Sequence, residues 1–488
     1  APSRPRSLRF VAWSVAALFA VHPLHTEAVT GIVGRAELLA ALFGLLAYRA
    51  YLSPPAPARW AQIAFGLALA LGSKEGAIGW FLLVGAHRAG LLGDGRGYFS
   101  LAREGRLRAA LRDDAMWVVG ALPYLIARGT VLGWHIDTSP TVIDNPLVAA
   151  GADGRILTAG KVLLHGWRLT LWPAPLSADY SFNAIAVETS LIGPGGLALL
   201  LLTAGIALAI RFRRRAPACA WALGFYLALL LPVSNLFFPI GTIFGERLLY
   251  LPLLGLLALL ALGARAAVGA VVDTMGGGVG TSGGALPRRV RAPAHDSGPV
   301  RIVLGVLLAA TLLAGGARTW ARNEVWQSDL ALFRAGVEAY PTSARLQANL
   351  GTTLADRGDL RQAEHHLRAS LEIAPGNSAA LEGLGHVLVL TQRYEEAERV
   401  LLEATERYPN DPEPFGRLGN LYLETRRGND ALIAFERLLT LRPNATEGWI
   451  GKGSALFLLE RFDASAQAWE RAVELASRGQ DLRRYYLA

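Results

Sequence analysis

Long apolar runs separated by short polar turns occupy the first two-thirds of the chain. Near residue 320 they give way to charged sequence with helical alternation. A helix needs about 20 largely apolar residues to cross the ~30 Å hydrocarbon layer of a bilayer. Nine runs approach that requirement, beginning near Leu8, Thr30, Trp60, Gly76, Ala115, Leu191, Ala216, Glu246 and Val300. The pattern predicts an all-α protein, with a polytopic membrane module over 1–319 and a soluble helical module over 320–488. The first run follows "RPRSLRF", as in a secretory leader. However, "HTEAVT" is a poor cleavage site and another apolar run follows at once, so it is read as a span. "RILTAGKVLLHGWRLTLW" is apolar too, but Lys161, His165 and Arg168 recur at helical spacing on one face, which predicts an interfacial helix.

The soluble module repeats itself. Pro341, Pro375, Pro409 and Pro443 are 34 residues apart, as are Gly351, Gly385, Gly419 and Gly453. Ala363, Ala397, Ala431 and Ser465 keep the same step, and so do Leu367, Leu401, Phe435 and Trp469. A small residue where two helices touch, a bulky partner and a proline ending the second helix resemble the tetratricopeptide repeat. Four repeats are expected over about 343–478, preceded by a half repeat, "SDLALFRAGVEAY". Stacked helix pairs of this kind form an α-solenoid whose groove suits an extended peptide.

Composition agrees with this division, because 52% hydrophobic and 18% charged residues exclude an ordinary soluble multidomain protein. The net charge of +9 sits largely in four segments: "APSRPRSLR", "GRGYFSLAREGRLRAALRDD", "RFRRR" at 211–215 and "PRRVRAPAHDSGPVR". Drawn with nine crossings, all four fall on one face, which arginine retention makes cytoplasmic. The Gly-rich stretch 269–299 is then a cytoplasmic linker, and the loop 133–190 and the repeats lie on the non-cytoplasmic side. The positive charge is a topology signal, and no nucleic-acid partner is expected. Cys219 is the only cysteine, so no intrachain disulfide forms.

Polar residues gather on the outer side. "HPLHTEAVTGIVGRAEL" brings His22, His25, Glu27, Arg35 and Glu37, and "SKEG" brings Lys74 and Glu75. "VIDNPLVAA" adds Asp144 and Asn145, "APLSADYSFNAI" adds Asp179 and Tyr180, and "FFPIGTIFGERLLYLP" adds Glu246 and Arg247. Each alone is an ordinary interfacial anchor. Together, both signs of charge on one leaflet suit a site that binds an anionic headgroup and handles a proton.

The segments "VHPLHTEAVTGIVGRAELL", "SKEG", "DNP", "LSADYS" and "SNLFFPIGTIFGERLLYLP", in this order and followed by the repeats, resemble the transmembrane-and-tetratricopeptide protein O-mannosyltransferases. Those are lipid-dependent glycosyltransferases of the GT-C class, and the likeness is to a bacterial-type homologue, which would sit in an inner membrane. The resemblance implies transfer of mannose from a polyprenyl (dolichyl-type) phosphate, the co-substrate, to a Ser or Thr hydroxyl on the non-cytoplasmic side. The repeats would bind the acceptor protein. Family members begin with a further span, an outer loop carrying an acidic pair thought to include the catalytic base, and a second span. This chain opens at Ala1 without them. It is expected to be a fragment lacking its main base and inactive alone.

An inverting transfer needs a carboxylate for the hydroxyl proton and cations for the departing lipid phosphate. Arg247, Arg35 and Lys74 are the phosphate candidates, Arg247 first because a guanidinium forks onto phosphate oxygens and keeps its charge. Glu27, Glu246 and Asp179 are supporting carboxylates, and Glu37, Glu75 and Tyr180 complete the polar lining. His22 and His25 lack a tight third ligand and read as lining around the sugar, so no metal is assigned. The competing class is a non-catalytic membrane scaffold or transporter with a peptide-binding repeat domain.

Overall fold

The computed structural model describes residues 6–31, 34–54, 56–92, 107–131, 133, 141–276 and 298–487. Every regular element among the described residues is a helix, and the chain divides into two compact units, 1–180 with 185–328, and 181–184 with 329–488.

The first unit contains α1 (Arg6–Val21), α2 (Thr26–Thr30), α3 (Arg35–Leu52), α4 (Pro57–Ser73), α5 (Gly79–Arg88) and α6 (Leu107–Val131). It continues with α7 (Ala152–Leu171), α8 (Pro194–Phe212), α9 (Pro217–Leu230), α10 (Pro252–Gly276) and α11 (Gly298–Val325). Four of these helices open on proline, whose fixed φ suits the first turn and whose missing N–H is not needed there. α3 lies along α4, α4 along α6, and α9 along α10. Their shared core is aromatic, with Tyr48, Trp80, Trp117 and Phe225 all buried. Gly44 makes this packing possible, because a Cβ there would fall 2.0 Å from Trp80 Nε1.

The same bundle buries charge where α4, α5 and α6 meet. Arg59 pairs with Asp113 at 2.5 Å, Arg88 reaches Asp113 at 3.3 Å and Asp114 at 3.0 Å, and Trp60 Nε1 donates to Asp113 at 3.0 Å. A buried carboxylate persists only with this many partners.

By length and composition, two described helices can cross a membrane, Pro194–Phe212 and Ile302–Val325. Leu8–Val21 and Pro23–Thr30, bent by 51°, make a third if taken as one broken span. The other expected crossings are carried by helices that are shorter, such as the 10-residue α5, or more charged, such as α6 with Arg112, Asp113 and Asp114. α10 runs on to Gly276, past the expected start of the Gly-rich linker, and 277–297 of that linker lies outside the described residues. So does most of the basic segment before α6.

The second unit begins with α12 (Asp329–Ala339) and continues as four helix pairs. These are α13 (Ala344–Asp356) with α14 (Leu360–Ile373), α15 (Ser378–Leu390) with α16 (Tyr394–Arg407), α17 (Pro412–Glu424) with α18 (Gly428–Leu441), and α19 (Thr446–Leu458) with α20 (Phe462–Leu487). The 34-residue pattern is a contact rule. A Cβ on Gly351 would come within 2.6 Å of Leu367, and one on Gly453 within 2.4 Å of Trp469. Ala363, Ala397, Ala431 and Ser465 are buried between paired helices. Caps are local, as Ser343 accepts the Leu346 N–H and Asp359 the Gln362 N–H. The turn inside each pair takes a left-handed residue at the same step: Gly358, Gln392, Arg426 and Glu460. The first helix of each pair contacts the first helix of the next, which puts α13, α15, α17 and α19 on one continuous inner face.

Candidate functional site

The site grows from the segment that links α1 to α2 and from the turn ahead of α10. After α1 the chain bends at Pro23 into a single 3-10 turn and then α2, which carries Glu27 inward. Ahead of α10, Glu246–Leu249 forms another 3-10 turn, with Glu246 buried and Arg247 beside it. The Glu27 carboxylate accepts the Arg247 main-chain N–H at 2.9 Å on one oxygen and pairs with the guanidinium through the other. Both of its oxygens are therefore spent on one residue.

Glu246 faces the other way. Its Oε1 accepts the Ser177 N–H at 2.7 Å and the Tyr180 hydroxyl at 2.6 Å, and its Oε2 is buried without a hydrogen-bond partner. Burial pushes its carboxyl up to about 8, with the nearby charge of Glu27 adding to the rise and Arg322, Tyr180 and Ser177 opposing it. Neutral at pH 7, Glu246 keeps an O–H to donate.

The loop that grips Glu246 is itself anchored. Lys161 donates to the Ala186 carbonyl at 2.9 Å and Arg168 to that of Ala174 at 2.6 Å, so two of the three polar residues on the α7 face hold the loop that follows it. The third, His165, packs on Tyr180 and Phe244. Desolvation, then the Arg168 charge, lowers it to about 4, leaving it neutral. Asn145 Nδ2 donates to Asn235 Oδ1 and to the Ile240 carbonyl, each at 2.8 Å, and Asn235 binds the Thr242 and Ile243 carbonyls. "DNP" and "SN" thus set the loop leading to Glu246.

The histidines are absorbed locally. His22 Nδ1 accepts the Leu24 N–H at 3.3 Å, which leaves Nε2 to donate to the Thr170 carbonyl at 3.0 Å. His25 packs between Phe19 and Tyr250, with ring centroids 4.3 and 4.7 Å away. Among the described residues no group of three potential metal ligands converges.

A small cleft joins the rest. Arg247 and Glu37 line it together with Trp80, Val233 and Tyr250, and Glu37 pairs with Lys74 at 3.1 Å. Glu75 instead pairs with Arg128, and Arg35 is exposed at the start of α3 with no acid against it among the described residues. Asp179 is half-buried, its main chain bonded to the Ser177 hydroxyl. A small apolar pocket of about 70 Å³ lies between α7, α8 and α9. It shares Val233 and Leu248 with the Arg247 cleft. Together they offer cationic and hydroxyl-binding groups beside a greasy slot.

Arg318, Thr319 and Arg322 complete the picture, and the sequence reading assigned none of them. Arg318 donates to the Pro173 carbonyl at 2.7 Å and Thr319 to that of Val21 at 2.7 Å, while Arg322 lies near Glu246. Their spacing of one helical turn at the end of an apolar run was the available signal.

Comparison with known proteins agrees with both units. Tetratricopeptide repeat models match residues 354–421 and 417–480. The protein O-mannosyl-transferase TMTC4 of Mus musculus is 32% identical over 398 residues, covering 72% of this chain and 48% of that protein. TMTC3 of Mus musculus is 26% identical over 402 residues, covering 76% and 40%. The chain is a relative of the TMTC-type protein O-mannosyl-transferases. It spans less than half the length of these curated relatives. Among solved structures, MamA is similar at 18% identity with a TM-score of 0.28, over 31% of this chain and 89% of that one.

Proposed function

We propose that the protein takes part in transfer of mannose from a polyprenyl phosphate to Ser or Thr hydroxyls of a protein acceptor on the non-cytoplasmic side of a membrane. One observation carries the reading: Glu27, Arg247, Glu246 and Tyr180, from the segments that resemble the O-mannosyltransferase family, meet in one place beside an apolar pocket. Arg247 serves the lipid phosphate, with Lys74 at the same cleft, and Glu27 holds Arg247 in place. Neutral Glu246 donates a hydrogen bond instead of taking a proton, and the main base belongs to the acidic outer loop of the relatives. The acceptor lies on the inner face of the solenoid, where Glu382, His386 and Arg417 are electrostatic neighbours.

The test is mannose transfer by the natural gene product reconstituted in lipid, from polyprenyl-phosphate mannose to a Ser/Thr peptide. Arg247→Ala should lower turnover by about two to three decades, equivalent to a few kcal/mol at the transition state, with Arg247→Lys intermediate. Wild-type protein that binds the peptide but transfers nothing would favour a non-catalytic scaffold.

A further inference from the structure

Five side chains of the first unit, on the two 3-10 turns and at the end of α11, which packs against the first of those turns and α2, keep a buried polar atom without a partner. They are His25 Nε2, Glu246 Oε2, Arg247 Nε, Arg322 Nε and Nη2, and Trp326 Nε1. Each such atom is costly to the fold when nothing meets it. The two arginines differ. Arg247 is neutralised by Glu27, which gives it both oxygens. Arg322 pairs with no acid among the described residues, although its charge is felt at Glu246. A guanidinium whose Nε and Nη2 are buried without an acceptor is costly unless a ligand supplies one.

The orphaned atoms are nearly all donors. Arg322 offers two N–H groups, neutral Glu246 offers Oε2–H, and Trp326, one helical turn beyond Arg322, offers an indole N–H. A ligand rich in acceptors and carrying negative charge satisfies such a set. We infer that Arg322, with Glu246 Oε2 beside it, is a second anion-binding position of this site, built for the oxygens of a phosphate group. The inference rests on the phosphate-linked donor proposed above, and it adds Arg322 to Arg247 as a contact of that phosphate.

The experiment is binding without sugar or acceptor, so it stands apart from any failure of transfer. Purified full-length protein in detergent is titrated with farnesyl phosphate, inorganic phosphate and, as a control, farnesol, with affinity and melting temperature both recorded. Arg322→Gln should weaken phosphate binding at least tenfold, and Arg322→Lys should recover only part of it. Without ligand, Arg322→Gln should melt no lower than wild type, because the substitution removes an unpaired charge whose Nε and Nη2 are buried. A preference for farnesyl phosphate over inorganic phosphate identifies the lipid-linked source, and equal binding identifies the free ion, with Arg322 the contact in both cases. Undiminished binding by Arg322→Gln, or a ligand-free protein clearly destabilised by it, overturns the assignment. So does wild-type protein that binds neither phosphate.

Discussion

Glu27 and Arg247 lie 220 residues apart in the chain, yet one carboxylate of Glu27 takes both the guanidinium and the main-chain N–H of Arg247, the latter at 2.9 Å. The contact fixes the turn ahead of α10 against the short helix after α1, and the position of Glu246 follows from it.

Breaking that contact should therefore cost stability before it costs chemistry. Fully buried pairs lose about 3–5 kcal/mol when one partner is removed. Arg247 keeps 30% of its side chain in solvent, so about 2 kcal/mol is expected for Glu27→Ala. The double variant Glu27→Ala/Arg247→Ala should recover part of that loss. Thermal unfolding of the four proteins of the cycle checks it, and strictly additive losses would mean the pair is uncoupled.

Glu246 makes the first unit sensitive to alkali. Its carboxyl titrates higher in the folded protein, at about 8, than the ordinary value near 4.5, so the folded state holds the proton more tightly. The resulting stabilisation is complete below about pH 4.5 and is lost as pH rises through about 8. Glu246→Gln should flatten that decline. Melting temperatures across pH 5–9 measure it, and parallel curves for variant and wild type would remove Glu246 as the cause.

In the solenoid, Gln392, Arg426 and Glu460 hold left-handed turns with φ of 59°, 56° and 58°, where the first repeat has Gly358. A side chain in that region costs about 1–2 kcal/mol, partly offset by the greater freedom of glycine when unfolded. Gln392→Gly is expected to stabilise the repeats by up to about 1 kcal/mol. Slower hydrogen exchange across α15 and α16 is the readout.

Alkaline phosphatase fused after Ala488 should be active and after Arg215 inactive, because arginine-rich loops stay in the cytoplasm. The reverse pattern would invert the orientation on which the proposed donor and acceptor sides depend.

The solenoid was legible because its packing is periodic: Gly351 and Leu367 touch, and each later repeat copies that contact. Glu27, Arg247 and Glu246 were legible as polar residues, since charge beside apolar runs marks them, and the structure makes them and Tyr180 neighbours. Their division of labour was not legible, because a contact spanning 220 residues leaves no local pattern. Asn145, one of the polar residues gathered on the outer side, bonds to Asn235 and staples a loop. Arg322 escaped because it follows an apolar run at the point where the chain turns charged, and there it reads as the first polar residue of the soluble module. The left-handed turns escaped for a simpler reason, since only Gly358 carries the residue type that announces one.

The ion pairs Glu364–Arg393 and Glu398–Arg427, at 2.7 and 2.8 Å, recur at the repeat step and each joins one helix pair to the next. Being partly exposed, they weaken as salt rises. Concentrated salt therefore loosens these clasps between neighbouring repeats, while the buried core that runs through the stack is left to hold the coils together.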